Sequence, residues 1–64
     1  MNKYECELKD IIVYGGTHRA RIIMKEDHKE LGGRVGESTI TSPIRSIDFE
    51  RCIIVTRNSI YHWE

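Results

Sequence analysis

Two short polar runs hold most of the residues that could contact a ligand. In the first, Thr39-Ile40-Thr41-Ser42-Pro43-Ile44-Arg45-Ser46, four hydroxyls and an arginine flank the chain's one proline. A proline corner restricts the shape of such a loop, and charge-assisted and neutral donors held this way suit phosphate or ribose oxygens. The second run, Thr56-Arg57-Asn58-Ser59, offers the same chemistry beside Tyr61, and Tyr14 offers another ring on which a base could stack. The candidate ligand-binding set is therefore Thr41, Ser42, Arg45, Arg57, Asn58, Ser59, Tyr61 and Tyr14. Arg45 and Arg57 would meet phosphate, the hydroxyls and Asn58 would add neutral hydrogen bonds, and Tyr61 or Tyr14 would stack. The same residue types also serve turns. Ser42, Asn58 and Ser59 can cap their own backbone. Arg45 and Arg57 can pair with Glu37, Asp48 or Glu50, and Tyr61 and Trp63 can close a core.

Catalytic chemistry needs a nucleophile beside a base, or paired carboxylates, and no spacing here sets either. Cys6 and Cys52 with His18, His28 and His62 supply enough metal ligands, but no C-x-x-C or H-x-x-x-H pair fixes a tetrahedral site. Gly15-Gly16-Thr17 lacks the lysine and helix of a phosphate loop. The expectation is a protein that is not an enzyme and holds no metal or cofactor.

The elements that must position these residues read as strands. Asn2 to Leu8 alternates, with Tyr4, Cys6 and Leu8 on one face. The phase breaks at Lys9-Asp10, which predicts a bulge, and Gly15-Gly16 predicts a tight turn pairing Ile11 to Tyr14 with Thr17 to Lys25. Ala20, Ile22 and Met24 then share a face. Glu26 to Glu30, with Gly32-Gly33 after it, reads as a surface loop with room for one helical turn. Arg34 to Thr41 is a weak strand ended by Pro43 or placed by it at a sheet edge, and Ile44 to Phe49 leads to the last hairpin. There Cys52-Ile53-Ile54-Val55-Thr56 turns through Arg57-Asn58 into Ser59-Ile60-Tyr61-His62-Trp63. The fold class is all-β: a single small domain over 1–64, built as an antiparallel sheet or an SH3-like or OB-like barrel of five or six short strands.

A chain of 64 residues buries a marginal core, and scaffolds of this size often add disulfides, a metal or partner subunits. Two cysteines at strand positions, with nothing like a signal peptide before them, read as free thiols in the cytoplasm. A homo-oligomer is the expected support. Ten Lys plus Arg balance ten Asp plus Glu, so nucleic acid is less favoured as a partner. The basic run His18 to Lys25 could meet an anion or form a solvated face, and no apolar segment suits a membrane span.

TSPI (Thr41 to Ile44) followed by V-T-R-N-S-x-Y (Val55 to Tyr61) resembles the ending of short proteins encoded by phages and bacterial mobile elements, with Tyr14 to Thr17 as a further match. The resemblance implies an anti-defence role, acting in the host cytoplasm by sequestering a nucleotide signal as a compact oligomer. Residue chemistry and resemblance together give a non-enzymatic homo-oligomer that binds a cyclic nucleotide or similar anionic signal. The alternatives are a module that inhibits or recruits a host protein by strand addition, and a small SH3-like or OB-like nucleic-acid binder using Arg19, Arg21, Lys25 and the aromatics.

Overall fold

A computed structural model of the protein describes residues 2–27 and 34–64. Most of the polar segment expected to form a surface loop falls on residues 28–33, outside the described ones. Six strands form one sheet: β1 (Asn2–Tyr14), β2 (Thr17–Met24), β3 (Ser38–Ile40), β4 (Ile44–Asp48), β5 (Ile53–Thr56) and β6 (Ser59–Trp63). Their order is β3-β2-β1-β6-β5-β4. The chain thus makes two antiparallel meanders, β1 to β3 and β4 to β6, joined side by side by a parallel pairing of β1 with β6 over Asn2–Ser59 to Cys6–Trp63. The all-β expectation holds, with this parallel seam as the one pairing that local pattern does not announce.

The sheet has to curl. Its two edge strands, β3 and β4, are consecutive in the chain and are linked only by Thr41-Ser42-Pro43. Ile40 to Ile44 can span at most roughly 14 Å at full extension, so the edges lie close and the sheet closes into a half-barrel.

Period-2 alternation decides what fills it. Cys6, Ala20, Ile22, Met24, Ile54 and Tyr61 are buried, and Tyr4, Leu8, Ile44, Ile47 and Trp63 pack around them. The Tyr4 and Tyr61 rings stack at 5.9 Å between centroids across the parallel seam. Burial pushes the Cys6 thiol up to about 11, with the neighbouring Glu5 carboxylate adding to the rise.

The expected bulge falls between Leu8 and Asp10. It resets the phase of β1 so that Asp10 stands opposite Arg21, whose Nε donates to Asp10 Oδ1 at 2.9 Å while Nη2 donates to Oδ2. The guanidinium hydrogen bond holds the Asp10 carboxyl below the usual aspartate range. Lys25 pairs with Glu64 at 3.0 Å, and Arg19 lies 5.5 Å from the Tyr14 ring centroid. The basic run is therefore largely consumed by the chain itself.

Gly15 and Gly16 take φ of 57° and 79°, the two positive values that a type I′ turn requires. Arg34 to Thr41 keeps only Ser38–Ile40 as strand, because the chain turns at Gly36 (φ 81°), whose amide donates to Met24 O at 2.8 Å.

Cys52 does not begin β5 as the sequence suggests. It ends the β4–β5 turn with φ 58°, while Asp48 Oδ1 caps the turn by accepting from the amides of Glu50 and Arg51 at 3.0 and 3.1 Å. A left-handed conformation costs a side-chain-bearing residue roughly 1 kcal/mol that glycine does not pay. Cys52→Gly is therefore expected to raise the melting temperature by about 4–8 °C, the shift that 1 kcal/mol produces in a domain of this size. Melting followed by circular dichroism checks this, and a lower midpoint would show that the Cys52 side chain contributes more than its backbone costs.

Candidate polar corner

The two polar runs meet where the half-barrel closes. Ile44 pairs with Thr56, the Arg57 amide donates to Pro43 O at 3.1 Å, and Asn58 Nδ2 donates to Ser42 Oγ at 2.8 Å. The link between the meanders is thus sewn to the β5–β6 turn by backbone and side chain together.

Several candidate residues hold this corner from inside. Thr41 is fully buried: its Oγ1 accepts from the Ala20 amide at 3.1 Å and donates to Ser42 O at 2.8 Å, and its own amide donates to Ala20 O at 2.9 Å. Those bonds extend the β2–β3 ladder by one position after β3 ends. Thr56, buried as well, uses Oγ1 to accept from the Ser59 amide at 3.1 Å and to donate to Ser59 O at 2.9 Å, closing the turn. Ser59 is buried, and Tyr61 is 1% exposed in the core. Thr41, Ser59 and Tyr61 thus face the interior, while Ser42 lies at its rim, 9% exposed.

Arg45, Arg57 and Asn58 are exposed. Arg45 is the extra residue of a second bulge, between Ile44 and Ser46, and β-bulges re-aim the side chain they carry. Ile44 and Thr56 pair and lie on the core side, and Arg45 and Arg57, each next in sequence to one member of that pair, are both exposed. Among the described residues neither makes an ion pair; the pairs formed are Arg21–Asp10, Lys25–Glu64, Arg51–Asp48 and His62–Glu5. Asp48, one expected partner for these arginines, is taken up by its own turn and by Arg51.

Tyr14 is not at the corner. It is 63% exposed at the tip of the β1–β2 hairpin, opposite Thr17, three residues along β2 from the contact of Ala20 with Thr41. The Thr17 hydroxyl donates to Tyr14 O at 2.8 Å.

Thr56 belongs to the second polar run but not to the candidate ligand-binding set, although its hydroxyl is the hinge of the corner. Its position two before Asn58 in a tight turn was the available signal. Among the described residues no three metal-ligating side chains converge, no enclosed cavity is present, and no helix is long and apolar enough to cross a membrane. What the corner offers chemically is a cationic surface: two exposed arginines, each next to a member of the Ile44–Thr56 pair, on a local backbone fixed by internal hydrogen bonds. No protein-family model, curated protein or solved structure matches the chain.

Proposed function

We propose that the protein is a non-enzymatic, homo-oligomeric binding protein that takes a small phosphate-bearing ligand, a cyclic nucleotide or similar signal, at the Arg45–Arg57–Asn58 surface. The observation that carries this reading is the pair of exposed arginines with no carboxylate partner among the described residues, beside a corner rigid enough to hold them. Charge-assisted hydrogen bonds from guanidinium to phosphate are the strong kind, and preorganised donors lose less entropy on binding. The neutral balance of the chain, with Arg21 and Lys25 already paired, favours a small anion over a nucleic-acid backbone. A phage or mobile-element origin, which the TSPI…VTRNSxY pattern implies, would make the biological role the removal of a nucleotide signal from host defence.

Calorimetric titration tests this reading, with cyclic AMP and cyclic di-GMP as probes and inorganic pyrophosphate as the minimal anion. Arg45→Ala and Arg57→Ala are each expected to weaken binding about tenfold or more, since a hydrogen bond to a charged group contributes about 1.5–3 kcal/mol. Melting temperatures should stay close to wild type, because both side chains are exposed. Unchanged affinity in both variants, or no binding of any probe by the wild type, would overturn the assignment.

A further inference from the structure

The far half of β1 is an open, apolar sheet edge. On one side β1 pairs with β6 only over Asn2 to Cys6, while on the other it pairs with β2 as far as Tyr14. From Glu7 onward no strand among the described residues covers the side of β1 that faces away from β2. The direction of the backbone groups follows from the register. Ala20 and Met24 of β2 bond towards β3 and its flanks, so Thr17, Arg19 and Arg21 bond towards β1. Their partners Tyr14, Ile12 and Asp10 therefore spend their amides and carbonyls on β2, and those of Ile11 and Val13 point out along the open edge. The side chains are also uncovered: Val13 is 68% exposed, Tyr14 63% and Ile11 37%.

We propose that this edge pairs with a second copy of the chain, β1 against β1, antiparallel about a two-fold axis at Ile12. The inference deepens the homo-oligomeric part of the proposed function and stands apart from its ligand. A two-fold interface must be self-complementary, and the register centred on Ile12 pairs both outward-bonding residues of this edge. With Ile12 opposite its own copy, Ile11 faces Val13 and Val13 faces Ile11, and these are the residues whose amides and carbonyls point outward. Each pair exchanges two hydrogen bonds, as antiparallel hydrogen-bonded pairs do. Ile11 and Val13 side chains meet on one face and the two Ile12 side chains on the other, giving β-branched cross-strand pairs. Ile11 to Gly16 carries no charge, so the copies bring no like charges together there. The bulge at Leu8–Asp10 ends the regular edge on one side and the Gly15-Gly16 turn ends it on the other. An apolar strand edge left unpaired is what monomeric proteins avoid exposing.

Sedimentation equilibrium without added ligand reads the assembly. The wild type is expected at twice the 7.5 kDa chain mass. Val13→Pro removes an amide that points away from β2, at an edge position where proline is tolerated, and is expected to halve that mass. Val13→Lys, which blocks the edge by charge, should do the same, with circular dichroism confirming a retained fold for either. Ile12→Cys in a Cys52→Ser background tests the register. A pair of this type brings Cα atoms to about 4.5 Å, within disulfide reach, so mild oxidation should give a covalent dimer. A monomeric wild type would overturn the proposal and leave the edge to strand addition by another protein. So would a dimer unchanged in folded Val13→Pro and Val13→Lys, or failure of Ile12→Cys to cross-link. The ligand assignment fails by calorimetry instead, so the two failures are distinguishable.

Discussion

Tyr61→Ala is expected to abolish the cooperative melting transition. Tyr61 is 1% exposed at the centre of β6, opposite Ile54 on one neighbouring strand and Tyr4 on the other. Its ring therefore joins the two meanders, stacking on Tyr4 across the parallel seam. Replacing a large buried aromatic by alanine costs about 3–5 kcal/mol. The core of a domain this small rarely supplies more than ~3–5 kcal/mol in total, so the substitution removes most of the margin. Thermal melting and urea titration followed by circular dichroism measure it. A variant melting within a few degrees of wild type would mean that the seam does not hold the meanders together.

The second large effect is at a hydroxyl. Thr56→Val keeps shape and β-branching but removes the Oγ that both accepts from the Ser59 amide and donates to the Ser59 carbonyl. Both bonds lie at a fully buried residue, and a hydrogen bond contributes about 0.5–1.5 kcal/mol net. Losing two should lower the midpoint by about 4 °C or more, at about 4–8 °C for each kcal/mol. Arg57→Ala, one residue away and exposed, should change stability by less than about 0.5 kcal/mol, as surface substitutions do. The pair of variants thus separates the residue that builds the corner from the one that presents it. Near-neutral stability for Thr56→Val would place the strength of the turn elsewhere.

Most of the strands were legible because their pattern is local. Tyr4, Cys6 and Leu8 alternate cleanly, and the lost phase at Lys9-Asp10 is the bulge itself; Gly15-Gly16 and Arg57-Asn58 mark turns that form where expected. The parallel β1–β6 seam was not legible, since it joins residues at opposite ends of the chain and no short-range pattern encodes such a pairing. That one pairing then decided much of the candidate site. With the seam formed, the half-barrel closes over Thr41, Thr56, Ser59 and Tyr61, and hydroxyls equally suited to a ligand become caps for the backbone. The arginines follow the same logic. Arg21 could not be known as paired until the bulge set Asp10 opposite it, whereas Arg45 is exposed next to inward Ile44, and the bulge there returns Ile47 to the core side. The apolar neighbours of Cys52 mark it as the first residue of a strand, yet the four-residue turn before β5 needs a left-handed residue at that place.

Native mass spectrometry of the purified protein, followed by denaturation and mass analysis of any small molecule released, tests the binding reading most directly. The expected result is a dimer whose mass exceeds that of two chains by a phosphate-bearing molecule, with the excess lost in an Arg45→Ala, Arg57→Ala double variant that remains dimeric. A bare monomer that also takes up none of cyclic AMP, cyclic di-GMP or pyrophosphate would contradict it.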